Sequence, residues 1–223
     1  MNENLYNKEI VCPVCQKKFK VTKVKARACL VDKRDSDFCV HYKDINPMFY
    51  DAWVCENCGY AAQADKFEDI SPKDANKLLA KIGSRWTKRS FSGERDIEAA
   101  LEAFKLILIS HQIIAVKASE MAKVCMRIAW LYRFKEDEKE MDFLRFAAQY
   151  YTQTYEKERF PADKLDESTC AYMIGELNRR IGNYEEAVKW FSRLIGSPDA
   201  RRNPTLIEAA RDQYQLAKEH LNG

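Results

Sequence analysis

Glycine is scarce in this chain, with 7 among 223 residues, which argues against glycine-rich phosphate loops and against barrels closed by many tight turns. Histidine is scarcer. His41, His111 and His220 lie far apart, and no nucleophile elbow, phosphate loop or metalloprotease helix motif accompanies them, so no enzyme is expected. Long apolar runs are also missing. The most apolar stretch, Leu106 to Val116, is interrupted by Ser110, His111 and Gln112 and is too short to span a bilayer. The opening Met1-Asn2-Glu3-Asn4 has neither a basic nor an apolar leader region. A cytoplasmic protein with no membrane partner is therefore expected, and a 46% hydrophobic content is that of a globular chain. Net charge is small at +3, but residues 66 to 95 carry 8 basic and 4 acidic side chains, so the positive excess lies in the middle of the chain.

Cysteine, by contrast, is present in a pattern. Cys12-Pro13-Val14-Cys15 and Cys55-Glu56-Asn57-Cys58-Gly59 each offer two sulfurs three positions apart. Such a turn brings both thiolates and its own N–H groups onto one metal, and Gly59 suits a chain that must leave through positive φ. Cys12, Cys15, Cys55 and Cys58 are read as one structural Zn²⁺ site, one ion per chain. The 39 residues between the pairs are more than compact ribbons use. Doubling a loop costs only about 0.6 kcal/mol, however, against ~10 kcal/mol or more for zinc bound by four ligands. A redox pair would need one such motif between strand and helix, and disulfides would need a secreted chain. Cys29, Cys39 and His41, with Asp37 as a fourth ligand, match no common metal spacing and are read as a core residue and parts of a polar loop. Cys125 and Cys170 lie within the helices of the tail and are expected to be buried, unreactive thiols.

The expected fold is mostly α: a small β zinc-ribbon head over residues 1–68, then an α-solenoid, tetratricopeptide-like helical domain over 71–223. In the head, Ile10 and Val11 lead into the first knuckle. Phe19 to Val31 alternates, with Val24, Ala26, Ala28 and Leu30 on one face and Lys23, Lys25, Arg27 and Cys29 on the other. Asp32 to Pro47 reads as irregular, and Tyr50 to Val54 as a third strand. Ser71-Pro72 then caps a helix that ends near Gly83, and amphipathic stripes follow to the end, punctuated by Pro161, Pro198 and Pro204.

Within that tail Ala171, Gly175, Gly182, Tyr184, Ala187, Phe191, Leu194 and Pro198 fall at the intervals of a tetratricopeptide repeat, where small residues let paired helices touch. Weaker copies surround Ala100 and Phe104, and Ala129, Ala147 and Tyr151. Together with Val54-Cys55-x-x-Cys58-Gly59-Tyr60-Ala61, Asp35-x-Asp37-Phe38 and Asn46-Pro47-x-x-Tyr50, the chain resembles a bacterial family known only as a domain of unknown function, twenty-two twenty-five in its series. The resemblance implies a zinc-binding head and a tetratricopeptide-like tail, and no activity.

Three functions compete. In the leading one the helical array is a scaffold for a protein or peptide partner. The repeat intervals place Met126, Trp130, Arg133, Tyr172, Glu176, Arg179 and Arg180 on inward faces, a surface of the hot-spot type whose arginines suit an acidic segment. The runner-up is nucleic-acid binding. Lys23, Lys25 and Arg27 lie in a run of eight basic residues within Lys17 to Arg34, and Arg85 to Phe91 interleaves charge with aromatics. Against it, lysines near four thiolates also balance their charge, and a sequence pI near 8.3 is modest for a nucleic-acid binder. A redox sensor that releases zinc on oxidation is the third.

Overall fold

A computed structural model describes residues 2–222, so the terminal Met1 and Gly223 of the expected domain spans lie outside the described residues. Three antiparallel hairpins and then helices make up the chain, in keeping with the mostly α class with a small β head. Among the described residues no helix is long and apolar enough to cross a membrane. Two compact units emerge. One comprises the chain up to Arg34, Val40–Val116 and Trp130–Asp137; the other comprises Asp35–Cys39, Lys117–Ala129 and the chain from Glu138 onward.

In the first unit β1 (Leu5–Val11) pairs with β2 (Lys18–Val24), from Leu5 opposite Val24 to Val11 opposite Lys18, and the first knuckle is their turn. Leu5, Ile10, Phe19 and Val21 are buried while Lys18 and Lys20 of β2 are exposed. β3 (Val31–Arg34) pairs with β4 (Val40–Tyr42). β5 (Ala52–Val54) pairs with β6 (Ala61–Gln63) around the second knuckle. A fully buried Phe67 stands in the middle of this core, its ring centroid 4.9 Å from Tyr60 and 5.7 Å from both Phe19 and Trp53. Aromatic rings at such separations add to the area they remove from water.

Two expected features of the head differ. The strand expected to run on to Val31 stops at Val24 because its partner begins at Leu5, so later residues have no ladder to join; a 3-10 turn, Ala26–Ala28, takes over. The stretch expected to be irregular contains β3 and β4 instead. All four residues of β3 are exposed, so no alternation of apolar and polar side chains announces the strand.

Helix α1 (Pro72–Lys81) starts as expected, with the Ser71 hydroxyl accepting from the Asp74 N–H and proline at the first position. It delivers Leu78 to the head core. Helix α2 (Ile97–Ile114), capped by Asp96, packs against β5 and β6, and the Ala61 N–H donates to its Ser110 hydroxyl at 3.4 Å. By compactness these two helices therefore group with the head, whereas the sequence boundary had put everything after residue 71 with the tail. Amphipathic periodicity marks a helix but not the surface that it covers.

Helix α3 (Ala118–Phe134) contributes its first turns to the second unit and its last to the first. The second unit continues with α4 (Lys139–Lys157), α5 (Glu167–Arg180), α6 (Tyr184–Gly196) and α7 (Pro204–Asn222). From α4 onward each helix packs on the next, and α5 also touches α7. The α5–α6 pair meets at Gly175, where a Cβ would stand 2.8 Å from the Phe191 ring; only glycine lets that ring lie against the α5 backbone. Cys125 and Cys170 are buried as expected, and desolvation pushes both thiols up to about 12.

Candidate metal centre

The two knuckles repeat one backbone pattern. In the first, the Gln16 N–H donates to the Cys12 carbonyl at 2.9 Å and the Cys12 N–H to the Lys17 carbonyl at 3.0 Å. In the second, Gly59 donates to Cys55 at 2.9 Å and Cys55 to Tyr60 at 2.8 Å. Each turn ends on a left-handed residue, Gln16 at φ 59° and Gly59 at φ 75°. The hairpins thus present four sulfurs to one point. Cys12 and Cys58 lie 3.7 Å apart, Cys15 and Cys55 3.6 Å, and all four fall within 4.8 Å of one another. Cys12, Cys55 and Cys58 are buried and Cys15 is half-buried, with Trp53, Tyr60 and Phe67 in the same core.

These sulfurs polarise one another. Hydrogen bonds from Cys12 and Cys58 hold the Cys55 thiol down to about 2, helped by the N–H groups of Asn57 and Cys58. The bond to Cys55 pushes Cys12 up to about 12, and the bond to Cys12 likewise drives Cys58 up. A metal binds thiolates, so the protons on these sulfurs leave when a cation takes their place, and binding releases protons and strengthens as pH rises. The four cysteines form a site able to hold a metal ion.

A layer around the second knuckle was not anticipated. Gly59 lies under the Trp86 ring, which a Cβ would overlap, and the same Cβ would come within 2.9 Å of Ile82. The Trp86 indole donates to the Glu56 carbonyl at 2.9 Å, Lys88 reaches the Glu56 carboxylate at 3.6 Å, and the Arg89 guanidinium lies 4.9 Å over Trp86 and 5.2 Å over Phe91. Arg95, buried, anchors this strap by donating to the backbone carbonyls of Phe91, Phe49 and Ala52 at 2.9, 3.0 and 2.7 Å. The aromatics that suggested base stacking are spent on the protein itself.

The other expected sites rearrange. Lys23 sits 5.8 Å over the Trp53 ring, while Lys25 and Arg27 have left the strand that was to align them with it, because β2 has ended. Cys29 belongs to no group of potential metal ligands among the described residues; its thiol donates to the Lys25 carbonyl at 3.8 Å. Cys39 is buried, and His41 meets Phe134 edge-on at 5.2 Å.

The expected inward surface is likewise corrected. Tyr172 and Glu176 are 0% exposed and Met126 is buried, so they line no open groove; Trp130 and Arg133 are half-buried. Arg179 grips the Glu176 carboxylate with two bonds of 2.9 Å and Arg180 with one of 2.7 Å. The cause is the acidic segment Asp35–Cys39 of the same unit, which lies over them.

No curated protein and no solved structure matches the chain. A family model does, over residues 5–217, a span of this chain that includes both knuckles. The chain belongs to that family, described as uncharacterized protein conserved in bacteria (DUF2225).

Proposed function

We propose that this protein is a zinc-binding, non-catalytic cytoplasmic scaffold, whose head is fixed by the metal and whose helical unit holds a protein or peptide partner. The sulfur cage carries the reading. Paired sulfurs at 3.6 and 3.7 Å stand close to the separation that tetrahedral Zn–S bonds of about 2.3 Å impose, roughly 3.8 Å. Cys12, Cys15, Cys55 and Cys58 would hold Zn²⁺ with a complete shell and no position for a reacting water. Bound there, zinc cross-links two hairpins whose shared core is small.

On the helical side, close pairing at Gly175 is what tetratricopeptide-like repeats use to stack into a binding surface. A cleft of about 480 Å³ among α4, α5 and α6 adds the exposed amides of Gln149 and Gln153 for a partner's backbone, and the Trp190 ring. The test couples metal analysis of the purified protein to affinity capture with and without nuclease. One zinc per chain and a nuclease-resistant, identified partner are expected. A metal content near zero, or recovery that disappears with nuclease, overturns the reading.

A further inference from the structure

Asp35-Ser36-Asp37-Phe38, one of the stretches that carried the family resemblance, joins β3 to β4 and belongs to the helical unit. It folds as a self-contained turn. The Asp35 N–H donates to the Cys39 carbonyl at 2.8 Å, the Phe38 N–H to the Asp35 carbonyl at 2.9 Å, and the Cys39 N–H to the Asp37 carboxylate at 3.3 Å. Phe38 takes a left-handed φ of 67° at its corner.

The turn rests on one face of α5. Its Ser36 hydroxyl donates to Glu176 Oε1 at 2.6 Å and accepts from Arg180 Nη2 at 3.0 Å, while the Tyr172 hydroxyl donates to the Ser36 carbonyl at 2.8 Å. Arg180 Nη2 also stands 3.6 Å from the Asp37 carboxylate, and the Phe38 ring lies 5.3 Å from that of Tyr172. Arg179, from one helical turn away, holds the Glu176 carboxylate in place for this work. The seat thus reads a hydroxyl, an acid and an aromatic ring in four consecutive residues. Its own residues are at the positions where the repeat intervals put a ligand-binding surface.

We propose that this α5 face is a recognition seat for a short acidic turn bearing a hydroxyl and an aromatic residue, filled in cis by Asp35–Cys39. A protein partner that presents the same chemistry on a loop takes the seat by displacing that turn. The inference rests on the scaffold reading and adds the partner's chemistry to it. Charge complementarity argues for this occupant, and so does the seated turn, whose internal hydrogen bonds preorganise the same four residues in any loop that carries them.

The test is a fluorescence titration with a labelled peptide of residues 33–41 carrying Cys39→Ala. The full-length protein should bind it at least tenfold more weakly than a variant with Ser36→Gly, Asp37→Gly and Phe38→Gly, in which the seat is open. Adding Arg180→Ala to that variant should weaken binding about tenfold. A second opened form, Ser36→Ala with Phe38→Ala, keeps the Asp37 bonds and serves if the triple variant does not fold. No binding by a folded opened form overturns the proposal, as does binding unaffected by Arg180→Ala or equally tight in the unaltered protein. A negative titration with partners still captured by the unaltered protein sinks the seat and leaves the scaffold standing. Peptide bound by the opened seat with no partner ever captured does the reverse.

Discussion

The two knuckles have the same spacing, the same backbone hydrogen bonds and the same left-handed exit, yet they differ in what surrounds them. The first ends on an exposed Gln16 and keeps a half-buried Cys15; the second ends on a buried Gly59 under Trp86, with both cysteines buried. The comparison separates two demands that a glycine can meet. Positive φ alone is tolerable for glutamine, at a cost of about 1 kcal/mol. Positive φ beneath an indole ring is not, since any Cβ there collides.

The largest break in this comparison should come from removing the metal. With zinc bound as proposed, chelation should withdraw a contribution on the order of 10 kcal/mol from the head, so its resonances should collapse while the helices of the second unit keep most of their far-UV signal. A chelated protein with unchanged head resonances would refute the cage. Next comes the pair of exit residues. Gly59→Ala combines the left-handed cost with overpacking and should lose roughly 2–4 kcal/mol, whereas Gln16→Gly should stay within about 1 kcal/mol of the parent. Denaturant midpoints of the two variants decide it, and equal losses would mean that the knuckles are not distinguished by their surroundings. Smaller in effect is Trp86→Ala, with about 2 kcal/mol, below the range for a core aromatic because the ring is only half-buried. Zinc release to a competing chelator should accelerate in this variant, because the cover goes while all four ligands remain. An unchanged release rate would show that the strap does not guard the site.

Where the causes of structure are local, the sequence was legible. The knuckle spacing, the Ser71-Pro72 start of α1 and the left-handed Gly59 each depend on a few neighbouring residues, the contact at Gly175 depends on the very next helix, and each stands where it was expected. Distant causes were not readable. Where β2 ends is decided by where β1 begins, and β3 is a strand with no buried face. The burial of Glu176 depends on Ser36, 140 residues earlier. A glutamate flanked on its helix by arginines looks like a solvent-facing charge cluster until a segment that far away covers it. Trp86 and Phe91 misled for the complementary reason: aromatics among basic residues suit a nucleic acid and a strap over a knuckle equally well.

The strap also implies an order of assembly. All four sulfurs have left the ribosome by the time Cys58 emerges, but Trp86 follows the Glu56 carbonyl that it binds by 30 residues, and Arg95 follows the Ala52 carbonyl by 43. During synthesis the cage can close on its ion while its cover is still unmade, and the later arrival of Trp86 and Arg95 seals it. Zinc bound as proposed would load before it is locked, so a nascent chain should exchange its metal more freely than the finished protein.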